Sequence, residues 1–138
     1  MTKTKESSRA EDNERVGMEF FERCATFDWD GARNMMADDF VVTNQLGETF
    51  NGDELTERDK WYDAHLKDQT ATDAKLQGTD DGFIVEYTVS FIGVNGQRHT
   101  MRCCGVFSVR EGKLTRYNRY ADRVGLAEAT EGAPGGVW

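Results

Sequence analysis

Gly82–Val94, GFIVEYTVSFIGV, and Gln97–Val109, QRHTMRCCGVFSV, flank the dipeptide Asn95-Gly96. Both segments alternate in side-chain character, and Asn-Gly between alternating segments is the strongest short-range hairpin signal. Read as a two-residue turn, it fixes the register by counting outward. Ser90 then faces Met101, Thr88 faces Cys103 and Glu86 faces Gly105, all on one side, because strand side chains alternate. The other side carries Val85, Tyr87, Val89 and Phe91 opposite Val106, Cys104, Arg102 and Thr100.

The next connection decides where the last strand points. A turn made of Glu111-Gly112 alone would pair Arg119 with Cys104 and place it on the apolar face. A three-residue loop, Arg110-Glu111-Gly112, with glycine in the left-handed position, is the other common closure. It pairs Cys103 with Arg119 and Gly105 with Tyr117, and puts Arg119 on the same face as Glu86. Their Cα atoms would then lie about 11–12 Å apart on a flat sheet, which two long side chains can bridge. This register is preferred, because burying an unpaired arginine against Tyr87 and Val89 is costly.

The chain has 138 residues, enough for one domain with a real core. A net charge of −8 argues against a nucleic-acid or anionic-membrane surface. No stretch approaches the apolar length of a spanning helix, and MTKTKESSRAEDNER lacks a signal-peptide core. Cys24, Cys103 and Cys104 form neither a disulfide framework nor a metal-ligand spacing, which points to a reducing cytoplasm and no metal.

Helices precede sheet. Residues 1–10 read as a disordered tail, 11–126 as a single domain and 127–138, with Pro134 and a glycine pair, as an extended tail. Val16, Phe20, Phe21, Cys24 and Phe27 recur at helical spacing over about Glu11–Thr26. Asp28 can cap a short second helix with Trp29, Ala32, Met35 and Met36 on one side. Phe40–Asn44 reads as a strand, and GETFNG as a turn-rich connection. Asp53 is a candidate cap for a third helix to about Lys67, carrying Leu55, Trp61, Tyr62, His65 and Leu66. Thr70–Gln77 is a weaker strand before the hairpins. The order α-α-β-α followed by a four-stranded meander gives an α+β fold with helices on one face of a curved, mostly antiparallel sheet.

This order, with ADDF before the first strand and GVFSVREGKLTRYNRYAD at the end, resembles the SnoaL-like and limonene-epoxide-hydrolase-like branch of the NTF2-like superfamily over roughly Val16–Asp122. The resemblance implies a cone-shaped α+β barrel with an apolar pocket between sheet and helices, commonly dimeric through the outer sheet face. It also reverses the simple reading of the strand faces. Glu86, Thr88 and Ser90 would line the cavity, and Tyr87, Val89 and Phe91 would form an outer surface covered by a second copy.

Limonene-epoxide-hydrolase-like enzymes hold water with an aspartate–arginine–aspartate group helped by a tyrosine and an asparagine. At the matching positions this chain has Glu86-Tyr87-Thr88, Arg119, Asn44 and Val42. A carboxylate and an arginine remain, exchanged between strands, but the second carboxylate is missing.

The remaining groups form an acid–base set. A carboxylate inside such an apolar cone and held by Arg119 would be suited to act as a base, the role expected of Glu86. Arg119 would hold that carboxylate or a substrate enolate, and Tyr117 would donate to a developing oxyanion. Asn44 and Thr88 would orient a carbonyl or water, His65 is the histidine that reaches the cavity, and Ser90, Met101, Cys103 and Trp61 complete the lining. The same Glu86–Arg119 pair also fits a buried ion pair that sets register. Two function classes stay open. One is a cofactor-independent enzyme, an isomerase, cyclase or dehydratase on a polyketide- or terpenoid-like metabolite, or an epoxide hydrolase with a rearranged site. The other is a non-catalytic pocket for a small hydrophobic metabolite.

Overall fold

The computed structural model describes residues 8–135. Helix α1 (Arg9–Ala25) starts at Ser8, whose side chain accepts from the Glu11 N–H while the Glu11 carboxylate accepts from the Ser8 N–H. This reciprocal cap extends the helix two residues ahead of the expected start, so residues 8–10 are ordered. The rest of the expected N-terminal tail, residues 1–7, lies outside the described residues. Asp28 caps α2 (Trp29–Asn34) as expected.

Strand β1 (Met36–Thr43) follows directly, so Met36 belongs to the sheet and not to α2. GETFNG contributes β2 (Thr49–Asn51), a short edge strand paired with β1. Asn51, not Asp53, caps α3 (Gly52–His65), in a second reciprocal box with Glu54. Strands β3 (Lys67–Gly78), β4 (Gly82–Ile92), β5 (Arg98–Arg110) and β6 (Lys113–Ala121) form the meander.

The sheet order is β2-β1-β6-β5-β4-β3, antiparallel except for β1 against β6. It is the expected curved α+β sheet, open between its two edges. Helices α1 and α3 pack into its concave side. At the narrow end the ring of Phe83 lies against the backbone of Gly17 and stacks on Phe107 at 4.4 Å, and Phe107 stacks on Tyr117 at 4.1 Å. A Cβ at Gly105 would come within 2.8 Å of both the Phe107 and Tyr117 rings, so the stack requires glycine there.

Two register details differ from expectation. Gly96 N–H donates to Gly93 O and Gly93 N–H to Gln97 O, with Gly96 at φ 78°. The first hairpin therefore closes with the three residues Val94-Asn95-Gly96. One extra loop residue shifts every pairing, so Glu86 faces Cys104, Tyr87 faces Cys103 and Val89 faces Met101. The second hairpin has the two-residue turn Glu111-Gly112, both at positive φ, but a bulge after Ser108 then moves Arg119 opposite Gly105.

The simple face reading therefore holds for β4, while on β5 Met101 and Cys103 share that face and not the expected Val106, Cys104, Arg102 and Thr100; the reversal of β4 implied by the family resemblance does not occur. The concave face carries Val85, Tyr87, Val89 and Phe91 with Met101, Cys103, Tyr117 and Arg119. Glu86, Thr88 and Ser90 point to the convex side.

The chain beyond β6 is more than an extended tail. It forms a one-turn helix, α4 (Leu126–Ala129), with Leu126, Ala129 and Thr130 buried. Val94 N–H donates to Ala129 O, Gly132 lies against Trp61, and Arg58 donates to Pro134 O. The arm thus straps the β4–β5 turn to α3. No helix among the described residues is long and apolar enough to cross a membrane.

Candidate active site

On α3, Leu55, Asp59, Tyr62 and Leu66 follow one another at spacings of four, three and four residues, which puts them on one face. That face meets the sheet, so Asp59 projects toward the concave side and Arg58 is carried into the interior beside it. Arg58 is 2% exposed. Its Nε donates to Tyr62 Oη at 2.9 Å and its Nη1 to the Pro134 carbonyl. From the sheet, strand alternation brings Tyr87, Cys103, Tyr117 and Arg119 to the same interior. Arg119 is 8% exposed, and the Tyr87 and Tyr117 hydroxyls lie 3.4 Å apart.

The electrostatics of this group follow from burial. Removal from water pushes the Asp59 carboxyl up to about 7, against the pull of the Arg119 and Arg58 guanidiniums. Burial likewise pushes Tyr87 up to about 12 and Tyr117 well above its ordinary value, so both are neutral donors at physiological pH. Burial alone would push Arg119 down, but the acidic groups around it, Tyr117, Tyr87, Cys103 and Tyr62, hold it up and cationic. Burial lowers Arg58 and raises the Cys103 thiol. The arrangement is a carboxyl that titrates near neutrality, two guanidiniums, and a pair of phenols.

Among the residues singled out from sequence, Arg119, Tyr117, Met101 and Cys103 share this concave face. Glu86 does not. It is exposed on the convex side between Cys104 and Lys75, so the expected Glu86–Arg119 pair does not form. Thr88 and Ser90 share its side, and Ser90 accepts from Arg98. His65 is exposed at the end of α3, stacked on the half-buried Trp61 at 4.4 Å with Nδ1 at the Trp61 carbonyl. Asn44 is buried, but its side chain closes a turn, accepting from the Leu46 and Glu48 N–H groups and donating to the Glu48 carboxylate. Asp122 accepts from the Val124 N–H, closing a turn after β6.

Sequence reading passed over Asp59 and Arg58 and put Tyr87 outside. The signal for the first two was present: charged residues inside the Leu55–Leu66 apolar stripe, where a solvated helix face would place them opposite.

A crevice of about 70 Å³ beside Arg58, walled by Phe50, Glu54, Glu57, Pro134 and Gly135, lies between α3 and the C-terminal arm. A larger groove of about 570 Å³ lies beside the β5–β6 turn and the start of α1. Two of its lining side chains are engaged, Arg110 with Asp39 and Asn13 with the Thr79 and Asp80 carbonyls. Cys24, Cys103 and Cys104 are free thiols.

A curved sheet with helices in its concave face and an ionisable interior defines the NTF2-like class, and the SnoaL-like domain family matches residues 18–117. The chain belongs to the SnoaL-like domain family. Among solved structures, a proposed polyketide cyclase from Xanthomonas campestris pv. campestris superposes with a TM-score of 0.72 at 19% identity, over 82% of this chain and 92% of that one. An LEH-like epoxide hydrolase from M. tuberculosis gives 0.71 at 19% identity, over 85% and 83%. An NTF2-like protein of unknown function from Burkholderia pseudomallei K96243 gives 0.73 at 18%, over 87% and 98%. At these identities the likeness concerns the fold. No curated protein sequence matches the chain significantly.

Proposed function

We propose that this protein is a cofactor-independent enzyme that moves protons on a small, largely apolar metabolite, with Asp59 as general acid–base. The observation that carries this reading is a carboxyl with a pKa of about 7 facing two guanidiniums and a phenol pair on the concave side of the sheet. A group of that pKa is half ionised at neutral pH and can both take and return a proton. Asp59 removes a proton from carbon next to a substrate carbonyl, and the electron pair passes to the carbonyl oxygen. Arg119 neutralises the resulting enolate, and Tyr87 and Tyr117 supply neutral donors. Return of the proton to another carbon isomerises the substrate. Attack of the enolate on an internal carbonyl cyclises it, and protonation of a departing hydroxyl by Asp59 dehydrates it.

The epoxide-hydrolase alternative has less support, because Asn44 spends its side chain on its own turn and Glu86 lies outside. Non-catalytic ligand binding is favoured by one feature, the arm strapped over Arg58 and Trp61. We assign the protein to a reducing compartment such as the cytoplasm, on its three free thiols. We also assign it to a homodimer through the convex sheet face. On that face the exposed Ile84 and Tyr120, beside Val106, stand in for the expected Tyr87, Val89 and Phe91.

Screening epoxides, enones and polyketide-like aldols for turnover provides the assay. Asp59→Asn should lose roughly 10²–10⁴-fold in turnover, while Glu86→Gln keeps the parental rate. Equal turnover in Asp59→Asn and the parent would remove Asp59 from the reaction.

A further inference from the structure

The C-terminal arm crosses the end of the sheet opposite Phe83. It leaves β6 at Ala121 and turns where the Asp122 carboxylate accepts from the Val124 N–H. It then lays α4 against the β4–β5 turn, with Val94 N–H donating to Ala129 O and His99 facing Gly125. From there it reaches α3, where Gly132 lies against Trp61 and Pro134 O accepts from Arg58. Leu126 and Ala129 belong to the same buried cluster as Phe91, Met101, Cys103 and Tyr117. The arm is therefore a wall of the concave interior at this end.

The way this wall is fastened differs from the rest of the fold. A four-residue helix has no stability of its own. The arm is held by burial of Leu126 and Ala129, by the Val94–Ala129 bond and by Arg58, and none of these contacts belongs to the six-stranded ladder. A segment fastened in this way can let go while the sheet stays intact. Gly125, in the left-handed region at φ 76°, starts α4 and supplies a pivot. Arg58 is the far fastening. It is almost wholly buried, and it donates both to the Pro134 carbonyl and to Tyr62 Oη, which is on the same helix face as Asp59.

We propose that the C-terminal arm is a lid over the concave site, opening as a unit about Gly125, with Arg58 as its latch. This rests on the concave group being the substrate site and adds how that site is reached. Open, the lid admits a ligand from the α3 side. Closed, it keeps water from the reacting groups. Burial is the cause that holds the Asp59 carboxyl up, so water admitted by an open lid should bring its titration down toward the ordinary carboxylate range. The groups that face Asp59 are Arg58 and Tyr62 from its own helix, Arg119 from β6 and Cys24 from α1.

The test takes two readouts from the full chain: hydrogen exchange of single amides and the ¹³C titration of the Asp59 carboxyl. The amides of Val94, Ala129 and Thr130 should exchange together, at least about 100-fold faster than those in the middle of β4 and β5. Leu126→Ala should speed the arm amides by a further factor of about ten or more, with the strand amides unchanged. The same variant should move the Asp59 transition downward. Arg58→Met should also speed the arm amides, and Arg58→Lys should restore part of the protection.

Arm amides that exchange at the strand rate in both the parent and Leu126→Ala would overturn the lid. If Leu126→Ala unfolds the whole chain, Leu126→Val carries the same comparison; unfolding of that variant too would make the arm inseparable from the core and overturn the lid. Faster arm exchange with the Asp59 transition unmoved would show a strap that does not cover the site, and would also overturn it. Arm exchange indifferent to Arg58→Met would remove the latch. An Asp59 transition near pH 4 in the parent would instead overturn the acid–base reading, and the exchange pattern would still decide whether the arm opens as a unit.

Discussion

Replacing Asp59 by asparagine should make the protein more stable and less active. The folded-state pKa of Asp59 is raised from 3.8 to about 7. Between those values the native state holds a proton that the unfolded chain has lost. Stability then falls as pH rises through this window and levels off above pH 7. About three pKa units at roughly 1.4 kcal/mol each put the full penalty near 4 kcal/mol. Asp59 is half-buried, so solvent screening reduces this to about 2–4 kcal/mol in practice. Asparagine has the same shape and no proton to lose. The variant should therefore match the parent below pH 4 and exceed it by about 2–4 kcal/mol at pH 8, a rise in Tm of roughly 10 °C. Urea unfolding at half-unit pH steps from 4 to 8 measures the difference directly. If the two curves run parallel, or the variant is weaker at pH 8, Asp59 is an ordinary ion-pair partner and cannot serve as an acid–base near neutrality.

Three further outcomes follow from the geometry. Gly105→Ala should cost about 1–3 kcal/mol in chemical unfolding, because its Cβ would press on the Phe107 and Tyr117 rings; a neutral result would contradict the tightness of that stack. Ala129→Asp should unfasten the C-terminal arm by burying a carboxylate. Protease cleavage near residues 125–135 should then speed up well before global unfolding, and an unchanged rate would show that the arm is not held there. Sedimentation at micromolar concentration should show two copies that Tyr120→Lys separates, whereas a monomeric parent would remove the convex face as an interface.

The element order, the helix stripes and the α+β class were legible because they depend on periodicity and short-range caps, such as Asp28 before α2 and the alternation in β4. The site was not, because it depends on register. Whether Asn95-Gly96 closes two or three residues is decided by the closing bond between Gly93 and Gln97, and one residue of slip changes the side Glu86 shares with its partners. The bulge after Ser108 has no local signature, yet it sets Arg119 opposite Gly105. Rejecting a buried arginine on energetic grounds also misled the reading. Asp59 and Arg58 carried a signal in the α3 stripe, whereas the placement of Tyr87 became readable only with the sheet in hand.

The central claim, that Asp59 is a neutral-pH acid–base in the field of Arg119, is tested most directly by its own titration. With ¹³C-labelled aspartate and Asp59→Asn to assign the resonance, the carboxyl shift can be followed from pH 3 to pH 9. The account predicts a transition at about pH 7 that moves further up when Arg119 is replaced by methionine, since a neighbouring positive charge is lost. A transition near pH 4, unmoved by that replacement, would contradict it.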